Sequence, residues 1–455
     1  MKYPADKIYA ICQEIFTKHK YSYKKVDMLY ISQIYISEYL LGLYDEKNII
    51  KKLKKYSLDD LAKYLFYKKS TFLTSKINQS KQKDILFFFE IKNSSMIENL
   101  YSLYCDMKSK HINVRIIGNN HKILSEDIHN IFKYSNLIKS IYNIFRIRKD
   151  LKDLSKVITN DLKKTINING SFQRNLYHHL VSNVFVIDTL DNYIKYEQSN
   201  KIVLVTDVHK WSRTLVLLAK KYHKSTYVLQ HGATVLEYGY LPVTTENLIT
   251  WGELSKKWFT ERGTNLQKIR ALGSPKFDIL FNKLNISTIE NKHILVVLNP
   301  IGKEKIKEMF LIILPALEKL KIKTIIKLHP SSDDYYDLVT TMFTKDFFEI
   351  QKKSDTTQLI LDSITVITTT SSVGIETILL NKPLCQVKLK NIPLMDYESY
   401  SCQHNINSSD DLIYLIKNKD KLYKNIKNYK NFIFEYCNEF NGNSKKKIGD
   451  FILHD

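Results

Sequence analysis

Residues 201–232 read KIVLVTDVHKWSRTLVLLAKKYHKSTYVLQHG. An apolar run, KIVLVTDV, is followed by KWSRTLVLLAKKYH, whose apolar residues recur at helical spacing, and then by a second apolar run, STYVLQHG. Continuous apolar strands joined by an amphipathic crossover are what a parallel sheet needs when both of its faces are covered. In open sheets of this kind ligands bind beyond the carboxyl ends of the strands, where Asp207 and His231 fall.

The same alternation extends in both directions. Upstream, DILFFFEI at 84–91 is a strand, NSSMIENLYSLYCDMKSK a helix and INVRIIG a second strand, one βαβ unit, followed by a mostly helical passage through 121–198. Downstream, short elements lead through 241–278 to the polar tract NKLNISTIENK. A second series then begins with strand HILVVLNP at 293–300, a helix over 303–320, and strand KTIIKL ending at His329 and Pro330. It continues with a helix near 335–345 and strand ITVITT, which runs out at Thr370, Ser371 and Ser372. VGIETILL reads as a helix, PLCQV as a strand, and 410–440 as closing amphipathic helices. Residues 1–80 carry YISQIYISEYLLGLY and lysine clusters and read as a helical section. The expected organisation is therefore a helical section at 1–80, a Rossmann-like acceptor domain at 81–285 and a Rossmann-like nucleotide-donor domain with closing helices at 286–455. Two such domains facing each other would leave a cleft for a donor and an acceptor.

With 455 residues and 44% hydrophobic content, the chain is long enough for two cores and is neither disordered nor fibrous. Its five cysteines contain no C-x-x-C pair, so neither a disulfide framework nor a zinc site is indicated. Lys+Arg of 69 against Asp+Glu of 47 gives a formal net charge of +22, which attracts polyanions. Because nearly all of that charge is lysine rather than the forked arginine of base readers, nucleic acid is not the expected partner. No window approaches the roughly 18 apolar residues of a spanning helix, and no signal-peptide pattern opens the chain, so a cytoplasmic location is expected.

The stretch QHGATVLEYGYLPVTTENLITWGELSKKWF at 230–259, with KIRALGSPKFD, KLHPSS and TTTSSVGIETILLNKP, resembles the GT-B glycosyltransferases of bacterial capsule, lipopolysaccharide and teichoic-acid assembly. The resemblance spans 200–390 and is absent over the first 80 residues. Within that group the His-Pro pair at 329–330 and the Ser-Ser pair at 371–372 are similar to motifs of sialyltransferases, polysialyltransferases and Kdo transferases that use CMP-activated sugars. A His-Gly pair, here His231 and Gly232, combined with His-Pro also occurs in CDP-glycerol glycerophosphotransferases. The resemblance implies transfer of a sugar, a CMP-ulosonic acid such as sialic acid or Kdo, from a nucleotide-sugar donor to a cell-surface glycan or lipid-linked acceptor.

Glycosyl transfer needs a base for the acceptor hydroxyl and fixed donors for the departing phosphate. His231 and Asp207 are the candidates for the first task, with Glu237 and His209 in reserve. His329, Pro330, Ser371, Ser372 and the amides opening the following helix are candidates for the second, since helix N-termini favour phosphate. Glu376, one turn further on, is positioned for ribose hydroxyls, and Lys327 and Lys382 are minor sources of charge. Each has a plainer alternative: Ser371 and Ser372 as helix caps, the histidines as packed strand-end residues, Gly232 as a turn glycine. The acidic pair followed by glycine that accompanies the sialyltransferase base is missing.

No D-x-D, P-loop, G-x-G-x-x-G, H-E-x-x-H or G-x-S-x-G is present, so no required metal and no cofactor are expected. The other readings are a CDP-glycerol-type transferase, a non-hydrolysing UDP-sugar 2-epimerase, and a non-catalytic anion-binding protein. Peripheral attachment to the anionic inner membrane face is expected through NIIKKLKKYS at 48–57 and KNKDKLYKNIKNYKNF at 417–432.

Overall fold

The computed structural model describes residues 4–42, 85–90, 94–119, 128–168, 170–234, 237, 239–286, 291–329, 335–390, 392, 397, 400, 402–423 and 429–455. The chain forms two compact units, the first of Met1–Ile249, Arg262–Arg270 and Gly449–Asp455, the second of Thr250–Glu261 and Ala271–Ile448.

The first unit is built on seven strands: β1 (Ile85–Phe89), β2 (Val114–Gly118), β3 (Ile128–Asn130), β4 (Lys201–Leu204), β5 (Ser225–Leu229), β6 (Asn247–Thr250) and β7 (Ile269–Ala271). Their order in the sheet is β3-β2-β1-β4-β5-β6-β7. The pairs from β3 through to β6 are all parallel. Every residue of β1 is buried, as expected of a central strand covered on both faces. The helices are α1 (Pro4–Lys18), α2 (Gln33–Gly42), α3 (Ser94–Ser109), α4 (Leu137–Lys163), α5 (Phe172–Ile194) and α6 (Lys210–Lys221). Helices α4 and α5 account for the helical passage read from the sequence; β3, only three residues long, was not legible there. The expected helical section is helical through α1 and α2, apart from a short antiparallel pairing of Ser22–Tyr23 with Val26–Asp27, and its part beyond residue 42 lies outside the described residues.

The amino-terminal helices are held to the sheet by a buried arginine. Arg213 on α6 donates from Nε to the Asp207 carbonyl at 2.7 Å, from Nη1 to Gln33 Oε1 at 2.7 Å and the Tyr30 carbonyl at 3.1 Å, and from Nη2 to the Pro242 carbonyl at 3.3 Å. Its guanidinium also lies 4.8 Å from the centre of the Tyr30 ring. A planar fork with five donors can satisfy partners from several segments at once, which a lysine cannot.

The second unit has six strands, β8 (His293–Val297), β9 (Thr324–Lys327), β10 (Phe348–Gln351), β11 (Ser363–Thr368), β12 (Leu384–Val387) and β13 (His404–Ile406), in the order β10-β9-β8-β11-β12-β13. All neighbours are parallel. Strands β10 and β13 were not read from the sequence, and the tract Cys402-Gln403-His404 leads into β13. His404 Nε2 lies 2.9 Å from the Leu422 carbonyl, so that imidazole is used in packing. The helices are α7 (Glu253–Glu261), α8 (Pro275–Ile286), α9 (Lys303–Leu320), α10 (Tyr336–Met342), α11 (Thr356–Leu361), α12 (Ser372–Leu379), α13 (Ser409–Lys417), α14 (Tyr429–Cys437) and α15 (Ser444–His454). Helix α13 begins with a reciprocal capping box between Ser408 and Asp411, and the first amides of α15 donate to the Asp278 carboxylate. In the tract WGELSKKWF, Trp251 is buried against Phe277 ahead of α7.

Replacing Arg213 with Met strands Gln33 Oε1 and several buried carbonyls without a donor. The expected loss is about 3 kcal/mol or more in the unfolding transition of the first unit, read as a lower urea midpoint with an unchanged slope.

Candidate functional site

Each sheet, numbered within its own unit, runs 3-2-1-4-5-6, with a seventh strand added in the first, so each has a topological switch point at the carboxyl ends of its first and fourth strands. In the first unit these are β1 and β4. Glu90, just beyond β1, accepts from the amides of Trp211 and Ser212 at 3.0 and 2.7 Å and so caps α6. Beyond β4, buried Asp207 accepts from the amides of Thr244 and Thr245 at 2.5 and 2.9 Å, both on Oδ2. Burial pushes its carboxyl pKa up, opposed by Arg213 and by the two amides. Asp207 therefore clamps the 241–245 loop to the end of β4, the work of a structural carboxylate.

His231 follows β5, whose continuation is fixed by the Gln230 amide donating to the Ile249 carbonyl at 2.9 Å. The imidazole stacks on Tyr240, centres 4.6 Å apart and planes 7° from parallel. The chain therefore folds back over itself between the two residues, helped by Gln230 Nε2 on the Gly232 carbonyl at 2.7 Å and Tyr240 Oη on the Ala233 carbonyl at 3.1 Å. Gly232 is more than a turn glycine, since a Cβ there would lie 2.7 Å from Tyr240 Oη. Burial, with a smaller contribution from nearby His209, lowers the His231 pKa to about 4, against a hydrogen bond to the Val205 backbone that raises it. At neutral pH His231 is thus an uncharged imidazole that gives its N–H to the Val205 carbonyl, and the other ring nitrogen is the basic one. Glu237 pairs with Arg262 at 3.4 Å.

In the second unit the switch point lies between β8 and β11. Asn299, beyond β8, donates to Thr369 Oγ1 at 3.2 Å and to the Thr370 carbonyl, joining the two strand ends. Ser371 is the N-cap of α12: its hydroxyl accepts from the Val373 amide at 3.2 Å, so the capping role is filled, while Ser372 forms the first turn. Gly374 lets Tyr397 close over this turn, because a Cβ would lie 2.8 Å from the Tyr397 ring. Glu376 is buried and ion-paired to Lys276. His329 follows β9 next to β8, and burial, followed by the charge of Lys327, lowers its pKa. Pro330 lies outside the described residues. Lys327 is committed to the Lys352 carbonyl. Lys382 does not face the switch point: it donates to Asn291 Oδ1 and to the carbonyl of Ser363, the first residue of β11, each at 2.9 Å, and so belongs to the opposite edge of the sheet.

The structure therefore gathers His329, Ser371 and Ser372 at the strand ends of one unit, and Asp207, His209, His231 and Gly232 at those of the other. Sequence reasoning missed Tyr240, Asn299 and Tyr397. Asn299, a polar residue directly after an apolar strand, carried a readable signal; Tyr240 and Tyr397 reach the site through loop paths with no sequence pattern.

The fold is GT-B, two Rossmann-like units with a helical amino-terminal region. No protein-family model matches the sequence, and no curated protein matches it. Among solved structures it is similar to the UDP-GlcNAc 2-epimerase of Neisseria meningitidis bound to UDP-GlcNAc, with a TM-score of 0.55, 13% identity and 82% of this chain covering 100% of that one. The UDP-GlcNAc 2-epimerase of Methanocaldococcus jannaschii in complex with UDP-GlcNAc and UDP gives 0.54, 14%, 82% and 100%. The wall teichoic acid polymerase TagF gives 0.51 and 16%, with 89% of this chain covering 95% of that one.

A pKa near 4 means that His231 takes up a proton only below the ordinary histidine range. In a histidine-labelled sample followed by NMR, its ring nitrogens should keep the neutral pattern at pH 5.5, where an imidazole of ordinary pKa about 6.5 is largely protonated. The His231→Gln variant assigns the signal, and titration near 6.5 would contradict the burial argument.

Proposed function

We propose that the protein is a glycosyltransferase that moves a sugar from a cytidine-nucleotide donor, a CMP-ulosonic acid such as sialic acid or Kdo, to a cell-surface glycan acceptor in the cytoplasm. The observation that carries the transfer itself, whichever cytidine donor supplies the group, is His231, kept neutral by burial at a strand end, its N–H engaged by Val205 and its plane fixed by Tyr240. Such an imidazole accepts the acceptor hydroxyl's proton as the new carbon–oxygen bond forms and the bond from the sugar to the nucleotide phosphate breaks. In this reading Asp207 supports the loop through Oδ2, which accepts from the Thr244 and Thr245 amides, and His231 is the base.

The departing phosphate is received in the second unit by the hydroxyls and amides of Ser371 and Ser372 at the opening of α12, with His329 as a neutral N–H donor. Burial and the Lys327 charge lower the pKa of His329, which favours an ordinary hydrogen bond to the phosphate over the charge-assisted one that a protonated histidine gives. Glu376, fixed by Lys276, presents a carboxylate to the ribose hydroxyls. The similar solved structures support nucleotide recognition: their titles name UDP-GlcNAc and UDP as ligands, and a TagF structure was soaked with CDPG.

Two neighbouring readings rest on specific observations. A histidine rather than an acid at the first-unit strand end favours the CDP-glycerol type of transfer over the sialyl type. Likeness to the epimerases favours a UDP-sugar 2-epimerase, which needs no acceptor. A thermal-shift panel of CMP, CDP, UDP and GDP separates them, because a nucleotide at about 100 times its Kd adds roughly 2.7 kcal/mol. Stabilisation by CMP or CDP supports a cytidine donor, and turnover of a CMP-sugar against CDP-glycerol tells the two cytidine readings apart, since both release CMP. Preference for UDP, together with epimer formation from UDP-GlcNAc alone, replaces the transferase reading.

With a donor in hand, His231→Ala should lower kcat by about 10²- to 10⁴-fold with little change in donor affinity, and kcat/KM should lose its acid limb near pH 4. His329→Ala should instead weaken donor binding, by up to about tenfold. Full turnover in a folded His231→Ala variant removes it as the base.

A further inference from the structure

Helix α4 has an outer face unlike those around it. Its inner face buries Ser140, Ile147, Leu151, Ser155, Ile158 and Leu162. On the outer face Ile138 is 83% exposed, Ile141 55%, Tyr142 64% and Phe145 63%. These stand at i, i+3, i+4 and i+7, the spacing of one continuous helical stripe. Scattered exposed apolar residues need no explanation, but a contiguous stripe rimmed by charge marks an interaction surface.

The next turns on the same side carry Lys149, Lys152, Lys156 and Lys163, all exposed. Arg148 flanks the stripe with its guanidinium 3.9 Å from the centre of the Phe145 ring, and Lys139 and Arg146 are exposed beside it. Among the acids of the helix, Asp150 accepts from Tyr21 Oη at 3.0 Å and Asp161 is bound by Lys18, His19 and Lys164, which leaves Asp153 facing the cationic surface.

We infer that the outer face of α4 is a membrane-contact surface that lies on an anionic phospholipid leaflet, with Ile138, Ile141, Tyr142 and Phe145 entering the headgroup boundary and the lysines neutralising phosphate. A helix with a short apolar stripe, aromatic residues within it and a basic continuation has the chemistry of interfacial helices. Long lysine and arginine stems reach phosphate while their methylenes stay against the apolar boundary. The surface differs from the tracts expected from sequence. In 417–432 Leu422 and Phe432 are 1% and 0% exposed while Tyr423 is exposed, and 424–428 and 48–57 lie outside the described residues. The inference is independent of the transfer reaction, because vesicle binding requires neither donor nor acceptor.

The test is co-sedimentation of the full chain with vesicles of phosphatidylcholine alone and of phosphatidylcholine mixed with phosphatidylglycerol, at low and high salt. Binding is expected to the mixed vesicles at low salt and to weaken as salt screens the charges. Ile141→Ser with Phe145→Ser should reduce that binding on the order of a hundredfold, and Lys149→Glu, Lys152→Glu and Lys156→Glu together by a similar factor, with melting temperatures unchanged. Phe145→Trp keeps the surface apolar and should show added quenching by brominated lipid. No binding to mixed vesicles at low salt, wild-type binding by the serine variant, or no added quenching would each overturn the inference. A fall in melting temperature in the serine variant would mean that the face packs within the fold. Loss of a dimer in sedimentation velocity without any effect on vesicles would assign the face to a second copy of the chain.

Discussion

The first unit depends on how a buried cation and a buried carboxylate near one strand end are satisfied. Arg213 and Asp207 lie on either side of the turn from β4 into α6, and between them they hold backbone from Tyr30, Pro242, Thr244 and Thr245, with the Gln33 side chain added. A buried charge is tolerable only when its hydrogen-bonding capacity is filled, so each residue requires the loops it touches to sit where they are. That requirement carries the α2 region to the sheet and holds the loop that begins just after Tyr240, the residue stacked on His231. The imidazole's orientation is thus fixed by interactions that begin elsewhere in the unit.

The repeated sheet order explains why polar residues gather where they do. When a chain builds strands outward on one side and then returns to build on the other, the connections leave in opposite directions at the switch point and open a gap in the covering layer. In both units that gap is closed by side-chain work. Glu90 caps α6 in one, and Asn299 joins the ends of β8 and β11 in the other. The residues proposed for chemistry, His231 and Ser371, stand beside these braces.

Much of the architecture was legible because parallel strands buried on both faces leave long apolar runs; β1, β5, β8 and β11 all coincide with runs read directly. Strands that escaped include β10 and β13, three or four residues long at sheet edges, where half-exposed positions dilute the apolar signal, and β3, of three residues. The candidate site was half legible. Strand-end histidines and the Ser-Ser pair could be found because the fold directs ligands to strand ends, and their order along the chain suffices to place them there. The partners of Asp207 could not, since they depend on which loop amides come back to meet the carboxylate, and Thr244 and Thr245 lie 37 and 38 residues away in sequence. The stripe on α4 was hidden for a related reason: an apolar residue in an amphipathic helix looks the same whether it faces the core or solvent.

Helix α15 carries a consequence for biosynthesis. Its residues from Gly449 onward belong to the first unit, where Lys201 Nζ donates to the carbonyls of Ile452 and Leu453 at 2.6 and 3.0 Å and Tyr227 Oη donates to the Asp455 carboxylate at 2.9 Å. Domains usually fold in order as they leave the ribosome. Here the first unit stays unfinished while the whole of the second is translated, with Lys201 and Tyr227 waiting for their partners. A nascent chain of this kind is exposed to premature capture and proteolysis for longer than its domain count suggests, and a frameshift that removes only residues 449–455 would injure the unit made first.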